Sequence, residues 1–367
     1  MKGELHFRDR AKAEELARLI RELAPEGPIK LVHVCGTHEI TIAEHGLRSL
    51  LPPQLEVLEG PGCPVCVTPA RHIDEAIELA KRGHILATFG DMARVPGSRM
   101  SLEEARSEGA DVRIVYSVTD AVALARRTDR EVVFFAVGFE TTAPMVAAAV
   151  LDGLPANFSL LVSHKLIPPA MEALLQNEHG IRGFIAPGHV STIIGERPYQ
   201  VFPTRYRLSV VISGFEPLDV LYAIALLLRQ LREGRPQVVN AYPRAVRPEG
   251  NRRAQEILSE VFEVVDHHWR GIGLIPRSGL ALREEFREWD ARVKFGLDLK
   301  REKGDDQPQE ALHPGCRCHL VITAQVTPDE CPLFQRACTP RTPYGPCMVG
   351  EEGMCNIWYR YGGRPKL

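Results

Sequence analysis

The 367-residue sequence has no long apolar run. The longest, 220–228, counts nine residues, well short of the roughly 20 that cross a bilayer, so no membrane segment is expected. It has no surplus of positive charge either: 45 Lys plus Arg stand against 47 Asp plus Glu, a net −2. A nucleic-acid footprint needs a basic excess, so nucleic acid is not an expected partner. Neither Gly-x-Gly-x-x-Gly nor a phosphate loop occurs, which removes the common dinucleotide and nucleotide fingerprints. Met1-Lys2-Gly3-Glu4-Leu5-His6 leads into mixed charges without an apolar signal core, so a cytoplasmic, reducing location is expected. Cysteine is missing from 67 to 315. All nine cysteines lie outside that span: Cys35, Cys63 and Cys66 before it, and Cys316, Cys318, Cys331, Cys338, Cys347 and Cys355 after it. In a reducing compartment such clusters read as metal ligands or redox thiols before structural disulfides.

Between the clusters, short apolar runs alternate with amphipathic stretches. Strands are expected at 29–34, 55–58, 84–89 and 112–116, then at 132–137, 158–162, 183–186 and 210–212. Helical spacing covers 7–24, 71–80, 118–126, 145–151, 218–231 and 251–264. Continuous apolar strands alternating with helices imply parallel sheets covered on both faces. The expected fold is therefore α/β: two similar parallel-sheet lobes with a central cleft, plus a small cysteine-rich iron–sulfur domain. The expected division is an N-terminal helical segment at 1–28, a first lobe at 29–126 and a second at 127–234. A connecting helical region at 235–300 and a cluster domain at 301–367 follow, with a charged hinge at 301–309.

Ligands of open parallel sheets bind at the carboxyl ends of strands, and here those ends are loaded. They read Cys35-Gly36-Thr37-His38-Glu39, Gly60-Pro61-Gly62-Cys63-Pro64-Val65-Cys66, Gly90-Asp91 and Gly138-Phe139-Glu140-Thr141-Thr142. Ser163-His164-Lys165, Pro187-Gly188-His189 and Gly214-Phe215-Glu216 complete the set. Cys35 is either a buried small hydrophobe or a thiolate set up by nearby His38, and the latter is both a nucleophile and a soft-metal ligand. His38 is a second ligand, a proton donor or a turn histidine. Cys63 and Cys66 sit ahead of a helix that Thr68 is expected to cap with Pro69 as its first residue. The pair reads as a reversible dithiol–disulfide couple or as half of a metal site. Glu140 is expected to face the cleft. In the tail, six thiols at irregular spacing exceed what one zinc needs and favour an iron–sulfur cluster over zinc or a disulfide framework.

With these motifs in view, the chain resembles the HypD family of hydrogenase formation proteins over nearly its whole length. Beyond the Cys35 and Cys63–Cys66 motifs, the resemblance rests on Gly138–Pro144, on Ala186-Pro187-Gly188-His189-Val190-Ser191, on Trp269-Arg270-Gly271-Ile272-Gly273 with Ile275-Pro276, and on the tail from His313-Pro314 to Cys355. It implies a role in building the Fe(CN)2CO unit of [NiFe]-hydrogenases, with iron held at Cys35 between this chain and a HypC-type chaperone. A HypE-type partner delivers cyanide, and the hydrogenase large subunit is a further candidate partner. It also implies one [4Fe-4S] cluster, for which C-x12-C-x6-C-x16-C fits Cys318, Cys331, Cys338 and Cys355. Cys35, Cys63 and Cys66 are then the expected metal-site and catalytic thiols, with His38 and Glu140 supplying protons to a relay from the tail through Cys63 and Cys66 to Cys35. The alternatives from other classes are an iron–sulfur-dependent protein thiol–disulfide reductase and a zinc-stapled binding module.

Overall fold

A computed structural model describes residues 9–176, 180–297 and 313–364. Nine strands build two all-parallel sheets. The first has the order β2-β1-β7-β8-β9, from β1 (Ile29–His33), β2 (Leu55–Glu59), β7 (Ile181–Pro187), β8 (Ser209–Ser213) and β9 (Val238–Asn240). The second has the order β4-β3-β5-β6, from β3 (Ile85–Thr88), β4 (Val112–Ile114), β5 (Val132–Gly138) and β6 (Phe158–His164). Alternate side chains enter different cores. Val132, Phe134 and Ala136 of β5 join one apolar cluster, while Val133, Phe135 and Val137 join another on the opposite face. Burial on both faces is why these strands read as continuous apolar runs.

The expected two parallel α/β lobes are present, but the chain is shared between them differently from a break at 126/127. It lays down β1 and β2, leaves to build the whole second sheet with β3 to β6, then returns to the first with β7 to β9. Buried parallel strands have the same texture in either sheet, so period cannot say which strand pairs with which.

Helix α1 (Arg10–Leu23) packs on the helix Pro217–Glu233, sealing the outer face of the first sheet. Helix α2 (Gly36–Glu44) follows β1, and α3 (Ala70–Lys81) follows β2. The 235–300 region is not simply helical. Its helix stops at Val261 (Arg252–Val261), and an antiparallel hairpin follows, β10 (Phe262–Trp269) with β11 (Gly273–Leu282). Gly271 at φ +76° and Gly273 at φ +107° allow the tight reversal. Helical spacing at 251–264 hid the strand start, because the hairpin packs its apolar face on the second sheet's core.

The expected hinge at 301–309 lies outside the described residues. From His313 onward the tail packs into the core of the first sheet, where Cys318, Val321, Ile322, Met348, Met354 and Trp358 join Val32, Val34 and Leu58. Among the described residues no helix is long and apolar enough to cross a membrane.

Candidate functional site

β1 runs through Val34 into Cys35, which is extended (φ −160°, ψ 123°) and immediately precedes α2. The thiol is buried. Burial, with the Glu352 carboxyl beside it, pushes it up to about 12, against the backbone N–H groups of His38 and Thr37 and the Thr37 hydroxyl. His189 Nδ1, from the end of β7, lies 4.0 Å from Cys35 Sγ. The Phe215 ring sits 5.1 Å from both the His38 and the His189 rings and orients them.

His38 Nε2 lies 3.0 Å from the Gly214 carbonyl. A carbonyl only accepts, so Nε2 carries the proton and Nδ1 is a buried lone pair without a partner among the described residues. Burial, with His33 and His189 nearby, holds the ring down to about 3. At neutral pH His38 therefore offers a lone pair rather than an acidic imidazolium proton.

The turn after β2 brings the second motif alongside. A Cβ on Gly62 would fall on the backbone of Cys35, so glycine permits the two strand ends to touch. Cys63 and Cys66 are joined in a disulfide with Cα atoms 5.3 Å apart, and Cys66 N–H donates to Cys63 Sγ at 3.2 Å. Bonded to each other, they hold no metal in this state. α3 begins at Ala70, one residue later than the cap signal implied. Thr68 instead donates its hydroxyl to Pro64 O at 2.8 Å and braces the Cys-x-x-Cys turn.

The tail covers both thiol sites. A Cβ on Gly350 would lie 3.3 Å from Cys63 Sγ and 3.5 Å from Cys66 Sγ, and Glu352 packs against Gly36 while Thr37 Oγ1 donates to it at 3.2 Å. The stretch 350–352 thus bridges the disulfide and Cys35. Behind it, all six tail cysteines are buried. Cys318 Sγ and Cys347 Sγ lie 2.9 Å apart. Cys316 is raised by burial and by Cys318, Cys331 and Cys355, and Cys338 by burial and by Cys355 and Cys331. The Cys347 contact holds Cys318 low, with the Arg270 guanidinium adding to it. Cys347 engages both Cys318 and Cys355, and Cys316 lies beside Cys318. Among the described residues no three His, Cys, Asp or Glu side chains surround a common metal position.

Glu140, at the end of β5, accepts from Ile167 N–H at 2.9 Å, and burial raises it to about 7. Among the described residues it has no hydrogen bond to Cys35 or His38. Burial first, then the charges of Glu140 and Cys35, raise the Tyr199 hydroxyl.

Several buried groups escaped sequence reasoning. Glu39 was visible only as part of the Cys35 motif, yet it anchors the region. Arg48 grips it with two bonds of 2.8 and 2.7 Å, Trp358 Nε1 donates at 2.7 Å, and His33 Nε2 lies at 2.9 Å. Burial alone would raise Glu39, but Arg48 and His33 bring it down to about 2. His33 also bonds the Cys35 carbonyl at 3.1 Å through Nδ1. Glu59 is fully buried with both carboxyl oxygens unpartnered among the described residues, and lines a cavity of about 10 Å3 with Cys63, Cys66 and Cys347. The available signal was a second carboxylate, at the end of a strand whose first, Glu56, faces solvent. The Cys318–Cys347 approach carried none, because spacing does not encode it.

Fold and site together define a two-sheet α/β protein whose thiols gather under its own carboxy-terminal segment. The HypD family model, described as "Hydrogenase formation hypA family", matches residues 11–362. The hydrogenase maturation factor HypD of Azotobacter vinelandii is 44% identical over 371 residues, covering 97% of this chain and 96% of that protein. Those of Rhodobacter capsulatus (42%, covering 99% of each) and Cupriavidus necator (42%, covering 97% and 96%) are similar. The chain belongs to the HypD family.

Proposed function

We propose that this chain is a hydrogenase maturation factor that serves as scaffold and redox component in assembling the Fe(CN)2CO unit of [NiFe]-hydrogenases. The observation that carries this reading is the meeting of Cys35, the Cys63–Cys66 couple and the tail thiols at one sheet edge, bridged by residues 350–352. Iron is the substrate, taken by Cys35 Sγ opposite a HypC-type chaperone, with cyanide arriving from a HypE-type partner. A neutral thiol must lose its proton to bind iron, and the cation itself favours that loss. His189 Nδ1, 4.0 Å away, is the nearest base to take the proton. The N–H groups of Thr37 and His38 then steady the thiolate. Glu140, half protonated near pH 7, returns a proton to the pocket.

The donor chemistry of the tail fits an iron–sulfur cluster: buried soft thiols, grouped, with the Arg270 guanidinium beside them. We keep Cys318, Cys331, Cys338 and Cys355, the set the resemblance implies, as its holders. Such a cluster supplies electrons one at a time. Cys63 and Cys66 store a pair as a dithiol beneath the overlying tail.

The test is infrared spectroscopy of the chain purified anaerobically with its small chaperone. Carbonyl and cyanide stretches that vanish in Cys35→Ser support the reading. Their absence from the intact complex, with disulfide reductase activity retained, would leave the thiol–disulfide reductase as the function.

A further inference from the structure

We propose that Glu59 is the proton donor and acceptor of the Cys63–Cys66 couple, a role that rests on the redox reading of that couple given above. Three observations place it there. Glu59 closes β2, and the chain then turns through Gly60-Pro61-Gly62 into Cys63, so the strand end sets the carboxyl behind the disulfide. Glu59, Cys63 and Cys66 line one cavity of about 10 Å3, a volume on the scale of one water. Both Glu59 carboxyl oxygens are buried and unpartnered among the described residues. A buried polar group without a partner is costly and marks a task other than packing.

The groups facing Glu59 keep it protonated. Burial acts first, then the Glu39 carboxylate, Glu352 and the Cys355 thiol, with the Arg48 guanidinium opposing them. The remaining walls of the cavity are apolar side chains and the Cys347 thiol. Among the described residues no cation lines it.

Opening a buried disulfide requires such a donor. Cys63 is 4% exposed and Cys66 is 0% exposed, so a dithiol reductant attacks Cys63 Sγ as its thiolate. The Cys63–Cys66 bond breaks and a mixed disulfide forms on Cys63. Cys66 sulfur departs with the electron pair and takes the Glu59 proton, since a bare thiolate is unfavourable in that enclosure. The second thiol of the reductant gives its proton to the Glu59 carboxylate and attacks its own mixed disulfide. Cys63 leaves as a thiolate steadied by Cys66 N–H. The reductant ends as a disulfide, the protein as a dithiol, and Glu59 as the acid it was.

The experiment follows reduction of the full oxidised chain by dithiothreitol, under argon, with timed alkylation and mass measurement of the peptide bearing Cys63 and Cys66. In the wild type two thiols appear reversibly. If they do not, the redox reading itself fails, and this inference with it. Given a working couple, Glu59→Gln slows opening roughly a hundredfold near pH 7, the scale of a lost general acid. It also flattens the pH profile that remains after correction for the reductant's own ionisation, and Glu59→Asp recovers part of the rate. A Glu59→Gln protein that opens at the wild-type rate with the wild-type pH profile overturns the inference. Should that variant fail to fold, infrared difference spectra of the wild type decide. Reduction is expected to shift a protonated-carboxyl stretch, and an unchanged carboxyl region rejects the role.

Discussion

Cys35 owes its position to backbone rather than to neighbours in sequence. It is the last extended residue before α2, with Gly62 pressed on its main chain and Glu352 across from it. Serine keeps that geometry but is a poor soft-metal ligand. Cys35→Ser is therefore expected to fold normally and to lower iron carried by the chaperone complex to background, measured by metal analysis. The tail thiols divide in the same test. Cys318→Ala should abolish cluster iron and sulfide, while Cys316→Ala should leave the cluster absorbance unchanged. The motifs around Cys35 and Cys63 were readable because each is a compact run at a strand end. The pairing of Cys318 with Cys347 was not, because 28 intervening residues must fold before the two sulfurs meet.

Elements transmit these arrangements. The helix Met354–Tyr361 carries both Cys355 and Trp358, and Trp358 donates to Glu39 in α2. Glu39 in turn bonds His33, whose other nitrogen bonds the Cys35 carbonyl. Removing one donor from a buried carboxylate costs about 1–3 kcal/mol. Trp358→Phe is thus expected to lower unfolding stability by about that amount in a urea titration, more than an exposed substitution such as Tyr361→Phe. Gly62→Ala should cost about 3 kcal/mol or more, since overpacking here strikes backbone. Helix and strand existence followed from period along most of the chain, as in Ala70–Lys81 and Pro217–Glu233. The hairpin β10–β11 escaped because its first residues continue the spacing of the helix before it.

The whole molecule titrates as two opposed sets of buried groups. Burial pulls His38, His72, His164, His189 and His267 below 6.5, so unfolding takes up protons there and acid destabilises. Burial raises Glu59, Glu140 and Glu352 above 4.5, so the folded state holds their protons and stability falls as pH rises past 4.5. Five histidines outweigh three carboxyls between 4.5 and 6.5, and from 6.5 to the thiol range near 9 the carboxyls act without them. Stability is expected to peak near pH 6.5, read from urea midpoints across pH. For Glu140, lifted from 4.5 to about 7, the loss accrues between those pH values and amounts to about 3 kcal/mol, and Glu140→Gln should remove that share of the pH dependence.

Sequence by itself determined the α/β class, the parallel strands, the loaded strand ends and the two cysteine clusters, because each depends on local period or on adjacent residues. Tertiary structure decided which strands share a sheet and that the tail closes over Cys35 and the Cys63–Cys66 disulfide. Those outcomes depend on contacts between segments hundreds of residues apart. Such contacts are selected by burial of whole surfaces, and no local pattern records them.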